Sequence, residues 1–214
     1  MESVRTSIAR SAALSLAALA ASATLAAAQV SASLDGGYQH LTNARRSAEA
    51  VLGSPGGLTF GASFRYPLGR SAFVGATARF FRQEGERAFV AEPSSPVFHL
   101  GHPLTVQIVP VYATFGWRFR PDATLVPYAG AGAGVAFYRE TSTVAGVELD
   151  AVSRTKASGL AFVGAEYGRG RVRFGLEASY ALVPKTLDAG GVGAVYNESD
   201  AGGLAAMGRV VFVL

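Results

Sequence analysis

The feature that most constrains this chain is a hydrophobic period of two, repeated in segments of about ten residues, the length a tilted strand needs to cross a bilayer. Leu58, Phe60, Ala62, Phe64 and Tyr66 alternate with Thr59, Gly61, Ser63 and Arg65. Val172, Phe174, Leu176, Ala178, Tyr180 and Leu182 alternate with Arg171, Arg173, Gly175, Glu177 and Ser179. The last residues repeat the pattern, with Leu204, Ala206, Gly208, Val210, Phe212 and Leu214 on one face. Successive side chains of a strand point to opposite faces, so the pattern predicts half-apolar strands rather than helices.

Eight strands follow, near 30–40, 58–67, 71–81, 104–119, 124–138, 158–168, 171–183 and 203–214. Their connections alternate in length. Pro67-Leu68-Gly69-Arg70, Arg120-Pro121-Asp122-Ala123 and Gly168-Arg169-Gly170 read as tight turns. Longer polar segments lie near 41–57, 82–103, 139–157 and 184–202. Strict alternation puts both chain ends on the short-turn side, the layout of an all-β, eight-stranded, antiparallel up-and-down transmembrane barrel. Pro110, which cannot donate to a ladder, predicts a bulge or register change between Ile108 and Val111.

Composition narrows the class further. The 214 residues are 50% hydrophobic and only 16% charged, against about 25% charged in an ordinary soluble domain. The absence of Cys excludes a disulfide framework, a thiolate zinc site and a Cys nucleophile. Arg5 and Arg10 precede an apolar run from Ala12 to Ala27, and Ala26-Ala27-Ala28 supplies small residues for cleavage. We therefore expect a cleaved signal peptide at 1–28 and a barrel domain at 29–214. No later segment reaches the ~18 apolar residues of a membrane helix. A spanning mature chain would have to be a closed barrel, in which every backbone group is paired.

Period two alone leaves two barrels open: a soluble carrier with its apolar face inward, or a membrane barrel with that face outward. Two features favour the second. Tyr66, Trp117, Phe119, Tyr128, Tyr167 and Phe212 fall beside the turns, and Tyr38, Phe60, Phe80, Phe137 and Tyr180 toward the loops, as two interfacial aromatic girdles would. The polar face carries Asp35, Arg65, Arg79, Glu166, Arg173, Glu177 and Arg209, which suits an ion-pair network in a narrow lumen. The positive excess collects at the turns, in Arg70, Arg118, Arg120, Arg169 and Arg171. A nucleic-acid partner is not expected from that placement.

The final strand, with Val210, Phe212 and Leu214 at alternate positions, resembles the C-terminal assembly signal of outer-membrane proteins, although Leu214 stands where that family usually has Phe. With Pro110-Val111-Tyr112 and the Val126 to Gly132 run, the mature chain resembles the small outer-membrane β-barrel family. Its members include the OmpA-like transmembrane domain, the OmpX/Ail type and the opacity-protein type. The resemblance implies a location in the outer membrane of a Gram-negative cell envelope. It implies as partners the membrane's lipid and lipopolysaccharide, the barrel-assembly machinery and periplasmic chaperones, with the protein a monomer. It names no ligand.

Little in the sequence points to chemistry. His99 and His102 lack a third ligand at useful spacing, so no metal site is expected. His40 precedes Leu41-Thr42 rather than the His-x-Ser pair of lipid A hydrolases. Gly130-Ala131-Gly132-Ala133-Gly134 lacks the last glycine and the helix of a nucleotide loop. No catalytic residue and no cofactor is expected. The reading is a structural, surface-interacting barrel with a side-chain-filled lumen; the alternatives are a narrow porin-like channel and a lipid A-modifying enzyme.

Overall fold

A computed structural model of the protein describes residues 30–144, 147–148, 152–187 and 191–214. The expected signal peptide lies outside the described residues. The long strands are β1 (Ser31–His40), β2 (Gly56–Leu68), β3 (Ala72–Phe89), β4 (Phe98–Arg118), β5 (Leu125–Val144), β6 (Val152–Tyr167), β7 (Val172–Leu182) and β8 (Gly203–Val213). Each pairs antiparallel with the next. β8 returns to β1, with Ser31 opposite Val213 and His40 opposite Leu204. The sheet is thus closed, which leaves no exposed edge.

The apolar face points outward. Leu34, Leu58, Phe60, Phe115, Phe174 and Leu176 are exposed, whereas Asp35, Thr59, Arg79, Thr114, Glu177 and Arg209 are buried inside. Each large apolar side chain left in water forgoes about 1.5–3 kcal/mol, so a continuous outer belt of them is a lipid-facing surface. The soluble-carrier alternative requires the opposite orientation and falls.

The tight connections sit where the turn chemistry puts them. Gly69, Gly168 and Gly170 take positive φ, as does Arg120. The long connections differ from the sequence expectation. Segments 82–103 and 139–157 are largely strand: β3 and β4 continue to the Phe89–Phe98 pair, and β5 continues to Val144. A two-residue strand, Val147–Glu148, pairs with the end of β5. The charged residues there, such as Arg82 and Glu84, read as loop because beyond the lipid nothing requires an outward residue to be apolar. At ~3.3 Å per residue β4 is roughly 70 Å long. Even with the ~40° tilt of such barrels, that is about twice the ~25 Å apolar band.

Pro110 causes no slip. Ala78 faces Val111 and Phe81 faces Ile108 in one unbroken register, and Pro110 pairs with Ala136 on the other side. The missing N–H removes rungs opposite Arg79 and Phe80, but the strand stays in phase. The register shift lies instead between Glu86 and Ala88, outside the apolar belt.

The first long connection forms a 3-10 turn (Thr42–Ala44) and helix α1 (Arg45–Leu52), which ends at Gly53 in the left-handed region with φ 69°. The fourth contains the one-turn helix α2 (Val192–Val195).

Candidate functional site: the lumen network and the external mouth

Glu177, on β7, is the hub of the lumen. Its carboxylate accepts from Arg65 Nη2 and Arg79 Nη2, each at 3.0 Å, and from Arg209 Nη1. Arg65 also donates to Glu166 at 2.8 Å, and Arg209 Nε to Asp35 at 2.8 Å. These side chains come from β1, β2, β3, β6, β7 and β8, so the bonds tie opposite walls of the barrel together. Ser33, Ser63 and Ser179 complete the guanidinium valences: Arg209 Nη2 donates to Ser33 at 2.6 Å and Ser63 at 3.1 Å, and Arg79 Nη1 to Ser179 at 2.7 Å. Within this network three arginines face three carboxylates, so the network itself is neutral.

Arg173 is not brought into this network. Its Nε is buried without a hydrogen-bond partner among the described residues, and the carboxylate of Glu166 is taken by Arg65. Arg118, placed by sequence at the rim with the turn arginines, instead turns inward and stacks over Phe73 at 5.3 Å.

Tyr128 requires a correction. Sequence placed it in the girdle, yet it is 2% exposed and its hydroxyl donates to Glu177 at 3.0 Å while accepting from Arg209 at 2.8 Å. The parity of β5 carries the signal that finds it: Ala129, Ala131, Ala133, Val135 and Phe137 form the outer face, so Tyr128 belongs to the inner one. Proximity to a turn was the weaker cue. Tyr128 packs with Phe73 and Phe162, ring centroids 6.2–6.4 Å apart, and the Arg65 guanidinium lies 4.3 Å over the Tyr128 ring. Gly164 makes this possible, since a Cβ there would sit 2.5 Å from the Tyr128 hydroxyl.

The other proposed girdle residues stand outward. Trp117, Phe119, Tyr167 and Phe212 are exposed near the turn end, and Tyr66 is half-buried. Val210, Phe212 and Leu214 share the outward parity of β8. His99 pairs with Ala88 on the outer extension of β4, and among the described residues no group of three potential metal ligands forms.

A second core, which sequence reasoning missed, fills the external mouth. Leu41, Ala44, Ala48 and Leu52 pack on Phe81, Leu104, Val106, Ile108 and Tyr138. Ala44, the residue before α1, offers no side-chain cap, and the fourth loop supplies one. Glu198 accepts from the backbone N–H groups of Arg46 at 3.0 Å and Ser47 at 2.8 Å, and from the Ser47 hydroxyl at 2.6 Å. At the other end of α1, Gly85 of β3 lets the helix approach, for a Cβ there would lie 2.1 Å from the Val51 carbonyl. The first loop is therefore folded onto the inner wall of the extended strands.

These features define a class, the small transmembrane β-barrel with a polar, filled bore. Two solved outer-membrane proteins have a similar fold. The chain is similar to Neisserial surface protein A (NspA), at 15% identity, covering 87% of this chain and 97% of that one with a TM-score of 0.52. It is also similar to a major outer membrane protein from Thermus thermophilus, at 11% identity, covering 87% and 100% with a TM-score of 0.52. No protein family model and no curated protein matches the sequence. The fold is accordingly that of the small outer-membrane barrels.

Proposed function

We propose that the chain is a structural, surface-interacting protein of the bacterial outer membrane. The barrel anchors it, and the extended hairpins and helical loops present the contact surface. The observation that carries this reading is the pairing of an outward apolar belt with a bore crossed by the Glu177 network. A channel needs a continuous wet path, whereas here three arginine–carboxylate systems and three aromatic rings span the lumen. Eight strands also enclose a bore only wide enough for side chains.

In this reading Trp117, Phe119, Tyr167 and Phe212 anchor the periplasmic interface, and Val210, Phe212 and Leu214 serve recognition by the assembly machinery. Lipid and lipopolysaccharide surround the belt, the protein works as a monomer, and it catalyses no reaction. Planar-bilayer recording tests the closed bore: the purified chain should give no steady single-channel openings. Reproducible openings of uniform conductance would replace this reading with the narrow-channel one.

A further inference from the structure

The turn end of the bore carries positive charge that the Glu177 network leaves uncompensated. Arg118, the last residue of β4, and Arg173, the second of β7, share the inward parity of their strands there, three strands apart round the wall. Arg118 stands opposite Tyr128; Arg173 stands opposite Val211, one inward step from the Gly175 that faces Glu166. The Nε of each is buried with no hydrogen-bond partner, and neither side chain makes an ion pair among the described residues. Because the three-by-three network is already neutral, these two guanidiniums leave that end of the bore in excess by two positive charges. A charge held away from bulk water calls for a partner.

The two act on one space. The Arg118 guanidinium lies 5.3 Å from the centre of the Phe73 ring, and that of Arg65 lies 4.8 Å from the same ring. Arg65, Glu166 and Arg173 are all close enough to act electrostatically on Arg118. Arg65 and Glu166 are bonded to each other at 2.8 Å and largely offset, so the repulsion from Arg173 stands. Behind them Phe73, Tyr128 and Phe162 close the bore, while both arginines are only half-buried and reach solvent on the turn side. Arg120, Arg169 and Arg171 are exposed on the turns without ion pairs among the described residues, a positive rim that draws anions inward. The arrangement is a cup rather than a passage.

A guanidinium fork matches the oxygens of a phosphate in pairs. A phosphate monoester carries about −1.5 to −2 at pH 7, which fits the excess, whereas chloride or a carboxylate neutralises half of it. The geometry points to a binding site for one phosphate dianion, free or as a monoester, held between Arg118 and Arg173 at the turn end of the bore. The site does not depend on the external contact surface; the proposed function only sets the periplasm as the side to which it opens.

The test titrates inorganic phosphate into the full chain folded in nonionic detergent micelles and follows the ³¹P resonance. Wild type should show a saturable shift. Arg118→Gln and Arg173→Gln should each weaken binding at least about tenfold, the loss of one charge-assisted contact. Arg169→Gln with Arg171→Gln removes two exposed rim charges and should weaken it less than about threefold at physiological ionic strength. Heat-modifiable migration shows that each variant's barrel has folded. Phosphate should also raise the urea midpoint of wild type more than that of either inward variant. Glycerol 1-phosphate should compete as well as sulfate. No saturable shift in wild type, or equal losses in the rim and inward variants, would overturn the site and leave only diffuse attraction of anions. Chloride competing as well as sulfate would overturn the dianion assignment. Dihexanoylphosphatidylglycerol competing as well as glycerol 1-phosphate would overturn it in favour of a lipid head group. Planar-bilayer recordings bear on the closed bore alone, so the two readings fail separately.

Discussion

Glu177→Gln separates a lumen organised around one carboxylate from a lumen of independent pairs. Arg65 would keep Glu166 at 2.8 Å, and Arg209 would keep Asp35 at 2.8 Å. Arg79 would lose its one carboxylate among the described residues and retain Ser179 at 2.7 Å. The cost therefore concentrates on one buried guanidinium. Two unit charges ~4 Å apart at an effective dielectric constant near 20 attract by about 4 kcal/mol. Breaking a buried pair by removing one partner costs about 3–5 kcal/mol, which agrees. Glu166→Gln should cost less, about 1–2 kcal/mol, because Arg65 keeps Glu177 at 3.0 Å. Removing the stranded charge as well, in Glu177→Gln with Arg79→Met, should recover about 2 kcal/mol relative to the sum of the single changes. Urea unfolding of the micelle-folded barrel, followed by Trp117 fluorescence and gel migration, measures wild type and the four variants, Arg79→Met alone included. Equal costs for Glu177→Gln and Glu166→Gln, or strict additivity of the double variant, would refute the hub.

Two further outcomes follow from the fold. Val163 is exposed on the outer face of β6, four residues above Tyr167, so Val163→Arg should cost about 2–4 kcal/mol near the bilayer midplane. Phe89→Arg, at the far end of the β3–β4 hairpin, should stay within about 0.5 kcal/mol in the same unfolding assay. Glu198→Ala removes the surrogate cap and should loosen α1 by about 1–2 kcal/mol. Hydrogen exchange at 45–52 should rise without a change in the barrel's heat-modifiable migration.

The strands were legible because a barrel wall has two solvents, lipid and lumen, and each enforces its own polarity at every second residue. That is why all eight segments could be placed from sequence, and why Pro110 did not disturb them: the alternation Ile108, Pro110, Tyr112 stays inward through the missing rung. The strand ends beyond the membrane were not legible. There the outer solvent is water, so Arg82, Glu84 and Glu86 can occupy a ladder without marking it. Tyr128 was misplaced for a related reason. A tyrosine near a turn suits an interface as well as a bore, and only its parity against Ala129 and Ala131 separates the two.

The mouth was hidden by a different physics. α1 has no cap of its own, and its apolar side is formed by small residues, Ala44 and Ala48 with Leu52, that carry weak local signal. Its order depends on groups more than a hundred residues away in the chain, Glu198 at the N-terminal turn and Tyr180 through its hydroxyl to Asn43 at 2.7 Å, and on the β4 wall. This couples the first and fourth loops through side-chain bonds, while their strands, β1 and β8, are already joined by the closing ladder. A change of sequence in the fourth loop therefore acts on the first. The first and fourth loops thus form one folded unit rather than two independent loops.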